Sequence, residues 1–157
     1  MGMDVYGIAP KSETGEYFRA NVWYWRPLWQ YCCDMVSNLE ERVPNGHFND
    51  ADGLKTPEEA EELGKTLLMY LDTGETTRWK TMYYEELSKL PTSDCDLCSG
   101  TGKRPDGLHG VEWKKPGCNG CSGTGIKAHW ATNYPFEEEI VREFAEFLID
   151  SGGFKIC

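Results

Sequence analysis

Four cysteines in two Cys-x-x-Cys pairs are the residues of this chain best placed to do chemistry. Cys95-Asp96-Leu97-Cys98 and Cys118-Asn119-Gly120-Cys121 are each followed by Ser-Gly-Thr-Gly, and 19 residues separate Cys98 from Cys118. Six of the eight positions are identical between residues 95–102 and 118–125. Zinc takes a tetrahedron of sulfur and nitrogen ligands, and two such knuckles supply four thiolates. One zinc held by Cys95, Cys98, Cys118 and Cys121 is therefore expected. Four thiolates leave no open position for water, so its expected role is structural. Gly100, Gly102, Gly123 and Gly125 fit the same purpose. Glycine tolerates the dihedrals needed to turn backbone amides toward the sulfurs.

A second polar constellation lies at His47, Asn49, Asp50 and Asp52. Set against a calcium loop with Gly53 at the obligatory glycine, Asp50, Asp52 and Glu59 fall at ligand positions, but Phe48 stands where the first aspartate belongs. The simpler expectation is a turn-rich loop whose Asp and Asn side chains bond backbone amides. The same loop, with Trp23, Trp25 and Trp29 nearby in sequence, is the candidate small-molecule pocket and the candidate centre of a small enzyme. Cys32 and Cys33 are adjacent and poorly placed to share a metal. Cys32 lies on an apolar stripe and reads as a buried thiol, with a Cys–His47 nucleophile as the alternative.

Between the knuckles lie His109, Trp113, Lys114 and Lys115, and Trp130 follows them. Bases interleaved with aromatics suit single-stranded nucleic acid, which gives a candidate partner contact at Trp113, Lys114 and Lys115. His109 reads as an exposed loop residue beside a Pro105-Asp106-Gly107 turn.

Charge qualifies that reading. The 157-residue chain has a net charge of −10. Residues 95–130 hold five bases and three acids, so the insert is slightly basic and the remainder strongly acidic. Four thiolates around one divalent zinc return the insert to about neutral. Phosphate binding needs positive charge, so the acidic remainder favours basic partners over nucleic acid. Seven cysteines, with Cys32, Cys33 and Cys157 outside the knuckles, suit a reducing, cytoplasmic setting better than a disulfide framework. No run of 18 apolar residues and no secretory leader is expected.

The elements that must position these residues are mostly helical. Met3–Ile8 reads as a short strand, and the aromatic stretch through Trp25 as extended or irregular. A first helix is expected from Pro27 to Val43, since proline suits the first helical position. Thr56-Pro57-Glu58-Glu59 is a capping box opening a second helix that ends at Asp72-Thr73-Gly74. A third spans Thr77 to Lys89, with Trp79, Met82, Tyr83 and Leu87 inward. A fourth runs from Pro135 to Asp150 and stops at Gly152-Gly153. The expected class is α+β, mostly helical: about four helices with short strands, one domain over 1–157, and a zinc-binding β-hairpin inserted at 92–130.

The knuckle phrases resemble the Cys-x-x-Cys-x-Gly-x-Gly repeats of DnaJ-type co-chaperones. Those proteins carry four repeats and two zincs, whereas two repeats imply one zinc. No His-Pro-Asp signature is present, so the resemblance implies metal binding and a local hairpin, not chaperone activity. Over its N-terminal half, Met-Gly-Met-Asp-Val-Tyr-Gly, Gly15-Glu16-Tyr17-Phe18-Arg19, Val22–Leu28 and the Asn49–Leu54 segment, the chain resembles a group of small uncharacterised bacterial and phage proteins. That resemblance supplies context and no catalytic residues; a phage or mobile-element origin would favour a host-interaction role.

Taken together, the sequence reads as a non-enzymatic, cytoplasmic, zinc-containing binding protein. Its expected partner is a protein, basic or nucleic-acid-binding. The sharper form is a phage- or mobile-element-encoded acidic inhibitor of a host defence enzyme. The alternatives are a nucleic-acid-binding regulator using the zinc insert and a small enzyme at His47, Asp50 and Asp52.

Overall fold

A computed structural model describes residues 2–105 and 117–157. The chain is α+β, with five helices among the described residues and short antiparallel strands. It divides into two compact units, residues 1–84 with 133–157, and residues 85–132 inserted between them.

In the larger unit, strands β1 (Gly2–Gly7) and β2 (Tyr17–Asn21) pair antiparallel, with Val5 opposite Phe18 and Asp4 opposite Arg19. Alternation sends Met3, Val5, Phe18 and Ala20 into the core and leaves Tyr6, Tyr17 and Arg19 outside. Two further strands were not anticipated. The expected polar loop at 47–54 contains β3 (Ala51–Asp52), and the chain after Gly153 forms β6 (Phe154–Ile156). The sheet order is β2-β1-β6-β3, so β6 is an interior strand. Gly152 and Gly153 make this possible: both take positive φ (65° and 97°), and a Cβ on Gly152 would lie 2.1 Å from the Ala9 carbonyl oxygen.

The first helix departs from expectation at both ends. Helix α1 covers Val22–Met35, so Trp23, Tyr24 and Trp25 are helical and Pro27 lies inside. The start is set by Asn21, whose Oδ1 accepts from the Trp23 amide at 3.1 Å. Pro27 is the sixth residue of the helix, and with no amide to donate it removes the backbone hydrogen bond to the Trp23 carbonyl. The helix ends at Val36, which is extended, and Asn38 turns left-handed (φ 62°) before a separate short helix, α2 (Leu39–Arg42).

Helix α3 (Pro57–Thr73) keeps the predicted cap: Thr56 Oγ1 accepts from the Glu59 amide at 3.3 Å and donates to Glu59 Oε2 at 3.0 Å. It ends at Gly74, left-handed at φ 82°. Helix α4 (Glu75–Ser88) half-buries Trp79, Tyr83 and Leu87, but Met82, expected inside, is exposed. Thr76 is the buried residue instead; its hydroxyl meets that of Tyr31 at 2.7 Å. After the inserted unit's strands β4 (Ser93–Asp94) and β5 (Ile126–Lys127), helix α5 (Glu138–Ser151) returns the chain to the larger core. Gly64 of α3 faces Ala145 of α5, where a Cβ would stand 2.6 Å from the Ala145 oxygen, so the two helices approach closely. Phe144 centres the core, with the rings of Phe18, Trp25, Phe147 and Phe154 at 5.0, 5.5, 6.1 and 6.1 Å. Among the described residues no helix is long and apolar enough to cross a membrane.

Candidate metal centre

The inserted unit is built on a repeat that extends past the eight matching residues. Cys95 Sγ lies 3.9 Å from Cys118 Sγ, and Cys98 Sγ lies 3.7 Å from Cys121 Sγ. All four sulfurs lie within 4.8 Å of one another and all four residues are buried. A tetrahedron with metal–sulfur bonds of about 2.3 Å has an edge of about 3.8 Å, so these spacings suit a four-thiolate metal. They are far from the bond length of about 2.05 Å that a disulfide requires.

Each knuckle repeats the other bond for bond. Ser99 and Ser122 are left-handed at φ 50° and 52°, and Gly100 and Gly123 at 80° and 83°. The amides of Gly102 and Gly125 point at Cys98 Sγ and Cys121 Sγ, at 3.3 and 3.1 Å. The hydroxyls of Thr101 and Thr124 each donate at 2.7 Å to the carbonyl of the preceding cysteine, Cys98 or Cys121. Each also accepts, at 3.3 Å, the amide two residues on. The threonines therefore hold the turns that aim the glycine amides.

The two copies are also laced together. The Cys118 amide donates to the Gly102 carbonyl at 2.7 Å, and the Cys95 amide donates to the Gly125 carbonyl at 2.8 Å. Arg104 Nη1 donates to Asn119 Oδ1 at 3.2 Å, and Lys127 Nζ donates to Asp96 Oδ2 at 3.0 Å. The sequence reading missed these braces. The signal was present, because Asp96 and Asn119, like Arg104 and Lys127, are 23 residues apart, the spacing of the cysteines themselves. Leu97 packs over Gly120, where a Cβ would meet Leu97 Cδ1 at 2.7 Å.

The electrostatics suit a cation. Burial pushes the Cys98 thiol up to about 11 against the pull of the Gly102 amide. At Cys121 burial also opposes ionisation, but the Gly125 amide, the Cys98 thiol and the Gly123 amide outweigh it and bring the group down to about 7. A metal ion would take all four cysteines as thiolates, so its binding would release their protons. With four sulfurs converging, the residues present fit a closed structural site.

The other candidates do not converge. The four cysteines are the sole group of three or more metal-ligating side chains found among the described residues. Asn49, Asp50 and Asp52 are exposed; Asp50 turns the chain at φ 61°, and Asp52 lies on β3 and pairs with Lys55 at 3.1 Å. Glu59 is engaged by Arg42 at 2.8 Å, and Gly53 is explained by packing, since a Cβ there would meet the Phe154 ring at 2.3 Å. The calcium-loop pattern is therefore a turn leading into a strand. Trp25 and Trp29 are fully buried and stacked 5.6 Å apart, so they are core and not pocket walls, whereas Trp23 is half exposed. Burial pushes the Cys32 thiol well up and the Cys33 thiol to about 11, which leaves neither as a thiolate nucleophile near neutrality. His47 is half-buried, its pKa lowered mainly by that burial. His109, Trp113, Lys114 and Lys115 lie outside the described residues. Trp130 is 64% exposed.

No family model matches the chain, and no curated protein or solved structure matches it either.

Proposed function

We propose that this is a non-enzymatic binding protein in which one zinc ion clamps a small unit inserted into an acidic body. The observation that carries the reading is the closed tetrad: four buried sulfurs meet at tetrahedral spacing with no fifth ligand among the described residues. Such a site stabilises structure and offers substrate nothing to bind. The likeness of the knuckles to the DnaJ-type repeat extends no further than this clamp.

The partner reading rests on where the charge lies. Twenty acids against ten bases fall in the larger unit, and six against six in the inserted one, so the whole net charge of −10 belongs to the larger unit. Glu58 and Glu62 of α3 and Glu139, Glu143 and Glu146 of α5 are exposed. A surface of this sign attracts a basic protein and repels nucleic acid. The partner is then a nucleic-acid-handling protein whose basic channel the acidic body occupies, as a host-directed inhibitor would.

The test is capture of partners from host lysate by the tagged protein at low and high salt, beside Glu139→Gln/Glu143→Gln/Glu146→Gln and titration with single-stranded oligonucleotide. Capture of nucleic-acid-binding proteins, released by salt and weakened by the triple substitution, is expected, with no binding of oligonucleotide. Direct oligonucleotide binding would favour a nucleic-acid regulator instead.

A further inference from the structure

The sheet of the larger unit buries one face and presents the other. Register places Tyr17, Tyr6, Lys155 and Asp52 in one row across β2, β1, β6 and β3. The next row holds Arg19 and Asp4, followed by Cys157, whose backbone exchanges hydrogen bonds with Asp4 at 2.7 and 3.1 Å. Tyr6 and Tyr17 are 48% and 44% exposed, with ring centroids 5.1 Å apart. Asp4 accepts from the Tyr17 hydroxyl and pairs with Arg19 Nε at 3.5 Å, so ring and guanidinium are already ordered. Arg19, Lys155 and Cys157 are exposed.

The charge pattern decides what fits. On this face the cations Arg19 and Lys155 alternate across the strands with the carboxylates Asp4 and Asp52 around a tyrosine pair, and Lys55 pairs with Asp52 at 3.1 Å. A nucleic-acid backbone would set phosphates against Asp4 and Asp52, and a basic protein would meet Arg19 and Lys155. A face that carries both signs can serve as its own complement, which is what a two-fold interface requires. The rest of the unit is strongly acidic, so two copies repel through their other faces and not through this one.

We propose that this sheet face is a self-association surface, covered by the same face of a second copy of the chain. Tyr6 and Tyr17 form its apolar centre, and Arg19 and Lys155 meet the partner's carboxylates. Four strands at the usual spacing give a footprint of on the order of 300 Å², well below the roughly 800 Å² per partner of a stable complex. The dimer is therefore weak and concentration-dependent. The proposal is independent of the partner assigned above.

The experiment is sedimentation equilibrium of the zinc-loaded protein from micromolar to millimolar concentration. It is paired with pulsed electron-spin measurements on a Cys33→Ser variant labelled at Cys157. A monomer–dimer equilibrium is expected, with Cys157–Cys157 distances short enough to place both labels in one interface. Tyr6→Ser should leave the circular dichroism unchanged and dissociate the dimer. Asp4→Arg or Arg19→Asp alone should weaken it at least tenfold, and the double swap should restore it. A monomer at every concentration would overturn the proposal, as would a dimer indifferent to these substitutions or with distant labels. A monomer that binds single-stranded oligonucleotide through Tyr6 would give the face to another occupant and equally overturn it.

Discussion

Gly102 and Cys118 are joined by a 2.7 Å backbone hydrogen bond, amide of Cys118 to carbonyl of Gly102, and that bond spans the two halves of the repeat. The residue that aims an amide at Cys98 thereby also fixes the entry of the second knuckle. Its counterpart, Gly125 with Cys95, does the same in reverse. Neither knuckle is complete without the other, so the ligand set forms as one object.

Removal of the metal should therefore be all-or-none. Elemental analysis should find one zinc per chain in protein purified without chelator. On chelation, nuclear magnetic resonance signals of residues 93–105 and 117–127 should lose dispersion while those of β1 and α5 persist. A partial set of shifts in a single knuckle would contradict the shared construction.

Glycine substitutions should separate backbone strain from crowding. Gly102→Ala would set a Cβ 2.4 Å from the Gly123 oxygen, and Gly125→Ala one 2.1 Å from the Gly100 oxygen, both at positive φ. Gly74→Ala has a similar φ of 82° but nothing within 4 Å. The first two should abolish stoichiometric zinc binding in a chelator competition assay. The third should cost about 1–2 kcal/mol, the left-handed penalty alone, read as a modest fall in the thermal midpoint.

Thr101→Val and Thr124→Val each remove one hydroxyl with two partners. Each should weaken metal retention by about 0.5–1.5 kcal/mol. The two losses should agree within error because the copies match bond for bond. A large asymmetry would show that the copies are not energetically equivalent.

Phe144→Ala empties the centre of the aromatic core. A cost of about 3–5 kcal/mol in urea unfolding is expected, the usual range for a buried phenylalanine. The metal tetrad should be retained at low denaturant, since its ligands lie in the other unit.

His47 gives the pH dependence. Its folded pKa lies below the ordinary 6.5, chiefly because burial penalises the charged ring. The unfolded state therefore binds more protons in the window below 6.5, and stability falls as pH drops through it. Unfolding midpoints at pH 7 and pH 5 should differ more for the native chain than for His47→Gln. An equal difference in both would assign the acid sensitivity elsewhere.

Much of this could be read from local signals. Thr56 and Glu59 mark a helix start within four residues, Gly152 marks an end, and the cysteine spacing marks a metal. The first two are contacts between near neighbours, and the third is a short phrase that the chain repeats 23 residues on. The misses depend on distant partners. Ala51 and Val5 flank Ile156 in the sheet, so β3 and β6 owe their existence to residues that no local window contains. Pro27 drew the start of α1 five residues too late because the deciding group was the Asn21 side chain. The cysteines were legible as ligands, whereas the braces from Arg104 and Lys127 became readable only once the 23-residue offset was followed beyond the identical positions.

The reciprocal bonding at the knuckles also governs how freely this chain can be rebuilt. The ligands are fixed from both flanks, by Gly102 with Cys118 on the inner side and by Gly125 with Cys95 on the outer. Among the described residues the four cysteines supply the whole tetrad. The fastening thus has two clasps, and a change at either one is felt by both knuckles.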